Sequence, residues 1–469
     1  MIQIDGLSRG QLERGLSEGR MPHLRRLMDS MGYRLHSLYS GLPSCTPGSQ
    51  AELFYGVKNA VPSFAFLDPS NGKIVKMFSH GAATGIQKDL ASRGRSLLAG
   101  GSSYSNIYDG GALRSSYCAC QMGMGSILAD LKSLGVLTLL FRHPASLLRI
   151  LGLMAVEGFF GIRDVLRARP RLRMWRREAI FFANRIFVSV CLREIITVLA
   201  ARDIRQKLPV VHVNYLGYDE HAHQRGPGSP TALAHLRNID AAIFRLDRAI
   251  RGSGLTYRCW IYSDHGQESV QSFESATGRT LEAAIKEATG EARVIRVPHP
   301  HGRRQLPEIP ARTWLVSNPG PLISLYPSFP LTLARKEAIS EALVARAGVP
   351  LVFHSPEKGK VRACTPEGWR ELPEGGGDIL GSGHPFPEEC IADLIALCQH
   401  PLAGPLIVSG WRPDGTSLSF FSESGAHGGI GRDEVHGFAL FPPDVPPPKG
   451  KSYFRFLDIR EMALGVLST

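Results

Sequence analysis

An apolar run ends on an acidic residue in the stretch VVHVNYLGYD, residues 210–219. A short apolar run rich in β-branched residues predicts a buried strand. Apolar residues at helical spacing follow over 231–251 and predict a helix. A strand followed by a helix indicates a parallel sheet, whose ligands collect in loops at the carboxyl ends of its strands. We therefore expect Asp219 to lie at a functional edge of such a sheet.

Two other aspartates have the same setting. Asp5 ends the short apolar run MIQI, and Asp264 follows the run from 257 to 262. Because the carboxyl ends of parallel strands meet at one edge, the three aspartates are predicted to lie together. The predicted fold class is α/β, with a mostly parallel central sheet flanked by helices and one catalytic domain over 1–469.

Four further residues complete a pattern of metal ligands and nucleophile. Taken singly, an Asp–His pair is more often a turn, and a threonine before proline is often a turn as well. Together, their order and contexts predict a two-metal hydrolase centre, for which carboxylate and imidazole ligands favour zinc over manganese. The predicted centre contains Asp5, Thr46, Asp219, His223, Asp264, His265 and His427.

These motifs resemble the alkaline phosphatase superfamily, and within it the type I phosphodiesterase/nucleotide pyrophosphatase branch. The resemblance covers roughly 1–70, 208–270 and 420–445 and implies an alkaline-phosphatase-like sheet. It also implies that Thr46 is the nucleophile of a phosphodiesterase that forms a phosphothreonine intermediate. By the resemblance, one of two divalent ions is held by Asp5, Asp264, His265 and the oxygen of Thr46. The other ion is held by Asp219, His223 and His427.

The chain departs from this branch in one place. An asparagine usually follows the nucleophile by about twenty residues and binds phosphoryl oxygens, but residues 62–69 contain none. Replacement donors are predicted at Ser102, Ser103 and Asn106, although a plain Gly/Ser loop explains that stretch equally well. Diesters are preferred over monoesters as substrates, because the phosphate-binding arginine of true alkaline phosphatases cannot be located.

Three alternatives stay open at this point. A phosphomonoesterase would use the same centre. A sulfatase of the superfamily is suggested by Cys45, Thr46 and Pro47, but position 49 is serine where sulfatases have arginine. A membrane-surface or anion-binding protein without turnover would fit the charge of +12 and the pI near 9.4.

The basic charge also bears on partners and inserted segments. It favours a phosphorylated small molecule or a lipid head group. Residues 128–205 are predicted as a helical basic insertion and residues 295–400 as a cap or loop insertion. Within 134–177, contact with an anionic membrane is one interpretation, and a helical cap with solvated arginines is the preferred one. Nucleic-acid binding ranks low, because no recognition motif and no interleaved aromatic residues are found.

The start of the sequence favours a cytoplasmic location, with peripheral membrane contact as the alternative. No basic and apolar leader precedes Ile2. An upstream start codon would lengthen the first strand and could supply an export signal, so the true amino terminus is left open.

Overall fold

The computed structural model describes residues 1–122, 134–155, 186–291, 293–297, 309–317, 320–448 and 450–468. Its first ten strands are β1 (Ile2–Ile4), β2 (Arg34–Tyr39), β3 (Ala65–Asp68), β4 (Lys73–Lys76), β5 (Ser102–Tyr104), β6 (Arg114–Ser116), β7 (Val211–Tyr215), β8 (Ile261–Tyr262), β9 (Glu268–Ser272) and β10 (Arg293–Arg296). The other strands are β11 (Thr313–Val316), β12 (Leu322–Pro327), β13 (Leu351–His354), β14 (Val361–Thr365), β15 (Gly368–Leu372), β16 (Leu406–Ser409), β17 (Ser417–Ser419), β18 (Gly425–Ala426), β19 (His436–Phe441) and β20 (Tyr453–Arg455).

The first eight labelled helices are α1 (Arg9–Ser17), α2 (Pro22–Met31), α3 (Thr46–Tyr55), α4 (His80–Arg93), α5 (Leu134–Arg142), α6 (Arg193–Arg205), α7 (Gly217–Arg225) and α8 (Pro230–Arg251). They continue with α9 (Phe273–Thr277), α10 (Leu281–Thr289), α11 (Leu333–Ala345), α12 (Gly376–Leu380), α13 (Pro387–Cys398), α14 (Arg432–Val435) and α15 (Phe456–Ser468). A π-helix covers Phe187–Leu192.

A sheet of eight strands forms the centre of the fold, in the order β20-β2-β19-β8-β1-β7-β5-β6. β1 lies between β7 and β8 and pairs with both in parallel. Only β19 runs antiparallel to its neighbours, β2 and β8. The prediction of a mostly parallel sheet is confirmed.

Helices cover both faces of this sheet, because its central strands are apolar on both sides. Ile261 packs into a core with α1, α2, α6 and α8, whereas the next residue, Tyr262, packs into a core with α3, α4 and α15. Phe438 and Ala439 divide between the same two cores. This alternation follows from the two-residue period of a strand, and it indicates a parallel sheet buried on both faces.

A second sheet occupies much of the range that sequence patterns placed in a cap or loop region. Its seven strands have the order β10-β11-β12-β16-β13-β14-β15 and are antiparallel apart from β10 and β11. The prediction of a cap or loop insertion over 295–400 did not include this sheet. Turns rich in Pro and Gly separate short strands there, and such strands are too brief to give a clear period.

The helical region before β7 is described in part. Helix α5 and a helical stretch over 144–155 are seen, whereas 123–133 and 156–185 lie outside the described residues. The predicted membrane contact through 134–177 therefore stays a prediction, as do the insertion boundaries at 128–205 and 295–400. Among the described helices, none combines the length and the apolar character needed to cross a bilayer.

A buried ion-pair network anchors helix α3. The Arg455 guanidinium donates to Glu52 Oε1 at 2.7 Å and to Asp393 Oδ2 at 2.8 Å, and the three side chains are almost fully buried. Since removing one partner would leave a buried charge without compensation, the network holds α3 in a defined position. The first residue of α3 is Thr46.

Candidate metal centre

The three aspartates lie at the carboxyl ends of three adjacent strands. Asp5 directly follows β1, Asp264 follows β8 after one residue, and Asp219 lies in the first turn of α7 just beyond β7. Since β1 is the middle strand of the three, the fold itself brings these carboxylates together.

Thr46 faces the aspartates from the start of α3. Its Oγ1 lies 3.5 Å from Nε2 of His265, and the residue is buried. Cys45 caps the helix in an extended conformation, and Pro47 follows in its first turn, where the missing N–H costs no helical hydrogen bond. The positive end of the helix dipole therefore lies at the Thr46 hydroxyl, where an anion would be stabilised.

His427 reaches the same place from a separate small sheet. It follows β18, which pairs with β9 in the strand order β17-β9-β18. Its ring stacks on that of His265 with centroids 3.8 Å apart, and its Nε2 lies 4.0 Å from Asp219 Oδ1. Nδ1 donates to the carbonyl oxygen of Ser44 at 2.9 Å, which ties the His427 loop to the segment before Thr46.

Each aspartate has one oxygen fixed from outside the centre. Asn214 Nδ2 donates to Asp5 Oδ2 at 2.7 Å, and the Gly6 N–H donates to Asp264 Oδ1 at 3.3 Å. The other oxygens, Asp5 Oδ1 and Asp264 Oδ2, lie 3.6 and 3.5 Å from His265 Nε2. These free oxygens therefore face the centre.

Asp219 follows the same rule. Gln267 Nε2 donates to Asp219 Oδ1 at 2.6 Å, and Asp219 Oδ2 lies 3.4 Å from His223 Nε2. Gly6 passes so close that a Cβ atom there would lie 2.3 Å from Asp219 Oδ1, at a positive φ of 69°. Glycine is required at position 6 for both reasons.

The histidines are fixed through Nδ1 in turn. His265 Nδ1 lies 2.9 Å from the Gly266 carbonyl oxygen, and His223 Nδ1 lies 3.0 Å from both Glu423 Oε2 and the Gly425 carbonyl oxygen. Because all these partners are acceptors, Nδ1 carries the proton, and Nε2 presents its lone pair to the centre.

The residues fit two metal ions by the chemistry of their donor atoms. Asp219, His223 and His427 form one group of ligand atoms within 4.8 Å of one another, and Asp5, Asp219 and His265 form another. The resemblance assigned Asp264 to the second group, and the structure places Asp219 in both. Asp264 Oδ2 is buried without a hydrogen-bond partner among the described residues, so it remains available as a ligand.

Electrostatics in the centre favour a cation. Burial raises the pKa of Asp264 to about 7, and burial together with Asp264 and Asp219 raises the pKa of Asp5. Burial also lowers the pKa of His265 to about 4 and that of His427 to about 3, so both rings are neutral at pH 7. His223 differs, because Asp219 and Glu423 raise its pKa well above the ordinary value although burial opposes the shift. The crowded carboxyl groups of Asp5 and Asp264 beside two neutral imidazoles still favour a cation, and divalent ions would supply positive charge there.

Comparison with known proteins bears on this assignment. Residues 171–339 match the family model for type I phosphodiesterase/nucleotide pyrophosphatase. The resemblance inferred from the sequence is thereby confirmed. The matched segment contains Asp219, His223, Asp264 and His265. Comparison with curated proteins gave no match.

Comparison with solved structures identifies proteins of similar fold. Phosphonoacetate hydrolase from Sinorhizobium meliloti 1021, in complex with phosphonoformate, is similar at a TM-score of 0.50 and 14% identity, covering 99% of this chain and 94% of that one. Human ectonucleotide pyrophosphatase/phosphodiesterase 5 has a TM-score of 0.49 at 12% identity, covering 100% and 94% of the two chains. The alkaline-phosphatase-like fold is confirmed, and the family match supports a hydrolase of phosphate esters.

Of the predicted substrate donors, Ser103 and Asn106 are engaged within the protein, whereas Ser102 Oγ is buried without a hydrogen-bond partner among the described residues. Ser102 and Ser103 are in β5, and Asn106 follows it. Asn106 Nδ2 contacts Ser103 Oγ at 2.7 Å and His212 Nδ1 at 3.0 Å, and its oxygen accepts from Gln50 of α3 at 2.9 Å. This network supports helix α3, which begins at Thr46, and the substrate-binding role of the three residues stays a prediction.

Cys45 does not compete with Thr46 as a nucleophile. Its side chain is buried, and burial raises the pKa of the thiol to about 12. A thiol with so high a pKa carries almost no thiolate at neutral pH. The Thr46 hydroxyl at the start of α3 stays the predicted nucleophile.

Sequence reasoning missed the residues that orient the ligands, namely Asn214, Gln267 and Glu423. Asn214 lies in the apolar run of β7, and its polar side chain inside a buried strand is a signal that could have been used. Glu423 is about two hundred residues from His223 and lies in a Ser-rich segment, so no local pattern connects the two.

A buried glutamate behind the His427 loop gives a pH-dependent prediction. Glu434 Oε2 accepts from the Gly429 N–H at 2.5 Å, and burial beside Glu268 raises the pKa of Glu434 to about 8. The folded chain therefore keeps a proton that the unfolded chain loses above its ordinary pKa of 4.5. This contribution to stability is complete below the unfolded pKa and is lost as the pH rises to about 8.

We expect Glu434→Gln to remove this loss of stability at rising pH. Relative to the variant, the parent should lose on the order of 1 to 3 kcal/mol of unfolding free energy between pH 5 and pH 8. Urea unfolding of chelator-treated protein measures the difference, and Glu337→Gln, which breaks an ion pair in the second sheet, is the control. A parent and a Glu434→Gln variant with parallel pH profiles would contradict the prediction.

Proposed function

We propose that the protein is a phosphodiesterase in which Thr46 attacks phosphorus at a centre of two zinc ions. The observation that carries the proposal is the convergence of seven side chains from five separate segments. The aspartates and histidines are fixed by hydrogen bonds with surrounding residues, and the ligand atoms and the Thr46 hydroxyl lie 3.4 to 4.0 Å from their neighbours in the centre.

Asp5, Asp264 and His265 would hold one ion and Asp219, His223 and His427 the other. When bound, such ions lower the pKa of an oxygen nucleophile and neutralise charge on the phosphoryl group and the leaving oxygen. Manganese is the second candidate, since it accepts the same ligands.

The chain's own residues then carry out a double displacement. The Thr46 oxygen forms a bond to phosphorus while the bond to the first leaving group breaks, which gives a phosphothreonine diester. Water then forms a bond to phosphorus, and the bond to Thr46 breaks. The N–H groups of Cys45, Gly48 and Ser49 donate to backbone carbonyl oxygens, so the Thr46 N–H and the positive end of the α3 dipole would face the anionic phosphoryl oxygens. The covalent step divides one difficult displacement into two.

The charge around the centre favours diesters over monoesters. Among the described residues, the six ligand side chains form ion pairs with one another and with Glu423, and none with Lys or Arg. Within the described part of the chain, no Lys or Arg is thus paired with the centre to balance the second charge of a dianionic monoester, whereas a monoanionic diester needs none. A phosphomonoesterase is the second candidate, and a phosphorylated small molecule is the substrate class.

Rates on two model substrates test this preference. We expect zinc-loaded protein to hydrolyse bis-p-nitrophenyl phosphate with a kcat/KM at least about tenfold above that for p-nitrophenyl phosphate. The manganese-loaded protein is measured beside it. A faster monoester reaction would replace the diesterase by the monoesterase, and a folded, metal-loaded protein that cleaves neither ester would overturn the proposed function.

A further inference from the structure

Glu423 stands directly behind one of the ligand histidines. Its Oε2 lies 3.0 Å from His223 Nδ1, an atom that the Gly425 carbonyl oxygen also contacts at 3.0 Å, and the Glu423 side chain is 9% exposed. Ser419 Oγ donates to the other oxygen, Oε1, at 2.5 Å, and the Ser424 N–H donates to the His223 carbonyl oxygen at 2.8 Å. Both oxygens of the carboxylate are therefore committed, and the contact with His223 is held in place on both sides.

The other two histidines of the centre have no carboxylate partner at Nδ1 among the described residues. His265 and His427 use Nδ1 on backbone carbonyl oxygens, those of Gly266 and Ser44. A carbonyl fixes the ring orientation but brings no formal charge. A carboxylate does both, and it makes the imidazole a stronger ligand.

This difference compensates for an imbalance between the two groups of ligands. By the ligand sets that the resemblance implies, one ion would have two carboxylates, from Asp5 and Asp264, and one imidazole, and the structure adds Asp219 to that group. The other would have the single carboxylate of Asp219 and two imidazoles. Glu423 adds a second negative charge next to the latter group without being a ligand itself.

We propose that Glu423 is a positioning residue that sets the affinity of the ion held by Asp219, His223 and His427. It acts through His223: it shares the Nδ1–H with the Gly425 carbonyl oxygen, so that Nε2 is directed to the ion, and it adds the negative charge that the carbonyl lacks. The inference rests on the proposed metal centre. It adds Glu423 as the residue on which the affinity for the ion at Asp219, His223 and His427 depends.

Zinc titration of the full chain against a chromophoric chelator tests the inference without any substrate. The parent should bind two ions. Glu423→Gln keeps an acceptor for the Nδ1–H and removes the charge. We therefore expect one ion to bind about 10- to 100-fold more weakly, while the affinity for the other ion is unchanged. Glu337→Gln, which loses a carboxylate paired with Arg362 far from the centre, should match the parent.

A double-mutant cycle separates this role from a general structural one. In the His223→Ala background, Glu423→Gln should cause no further loss of zinc affinity, because its effect passes through the missing ring. Ser419→Ala only releases the Glu423 carboxylate, so it should weaken the binding of the same ion by a smaller factor. It replaces Glu423→Gln in the test if that variant does not fold.

Each remaining outcome is decisive. Two ions bound by Glu423→Gln as tightly as by the parent would overturn the role of Glu423 and leave the proposed function intact. An equal loss of affinity for both ions, or an undiminished effect of Glu423→Gln in the His223→Ala background, would also overturn the role of Glu423. A parent that binds no zinc would overturn both proposals.

Discussion

Thr46→Ala should slow the hydrolysis of bis-p-nitrophenyl phosphate by a factor of roughly 10⁴ or more, because the proposed nucleophile is lost. Thr46 begins α3 and is buried, and its hydroxyl faces His265 Nε2 at 3.5 Å. Alanine is smaller and a good helix former, so the fold should be retained. Steady-state rates of zinc-loaded parent and variant measure the effect.

Thr46→Ser is the matched control for this prediction. Serine keeps the attacking oxygen and loses only a methyl group, so we expect it to retain a substantial part of the parent rate. Circular dichroism and zinc content of each variant show whether fold and metal are kept. A Thr46→Ala protein with a rate near that of the parent would mean that water attacks phosphorus directly.

Removal of the metal should abolish turnover and lower stability at the same time. Asp5, Asp219 and Asp264 converge in a buried centre, and burial already raises the pKa of Asp264 to about 7. Bound ions offset this repulsion, and each site filled at a hundred times its Kd stabilises the folded state by about 2.7 kcal/mol. We therefore expect chelator-treated protein to be inactive and to unfold at a lower temperature, by several degrees.

The restoration of both properties checks that prediction. Added zinc should return activity and thermal stability together, and added magnesium, which prefers oxygen ligands, should return neither in full. The thermal unfolding temperature is recorded by differential scanning fluorimetry across the titration. Full activity after complete removal of the metal would contradict the two-metal account.

The parts of the fold that follow simple sequence rules were predictable. The helix expected over 231–251 corresponds to α8, Pro230–Arg251, because its apolar residues repeat at helical spacing. The strand expected before Asp219 corresponds to β7. The run from 257 to 262 was expected to be a strand throughout, and only Ile261 and Tyr262 pair in the sheet.

The candidate site divides in the same way. Asp5, Asp219 and Asp264 were predictable as neighbours, because strand ends in a parallel sheet share one edge. The shared position of Asp219 between two groups of ligands was not predictable, nor was the use of Gln267 and Glu423 as orienting partners. These contacts depend on where loops from the small sheet of β9, β17 and β18 come to rest, and no local pattern encodes that.

Trapping the covalent intermediate tests the central claim most directly. Zinc-loaded protein turning over bis-p-nitrophenyl phosphate would be quenched in acid and digested with trypsin, which releases residues 35–58 as one peptide. We predict a p-nitrophenyl phosphoryl group on Thr46 in that peptide, and none in the Thr46→Ala protein. An unmodified peptide from protein that is turning over, with mixing and quenching faster than a single turnover, would contradict attack by Thr46.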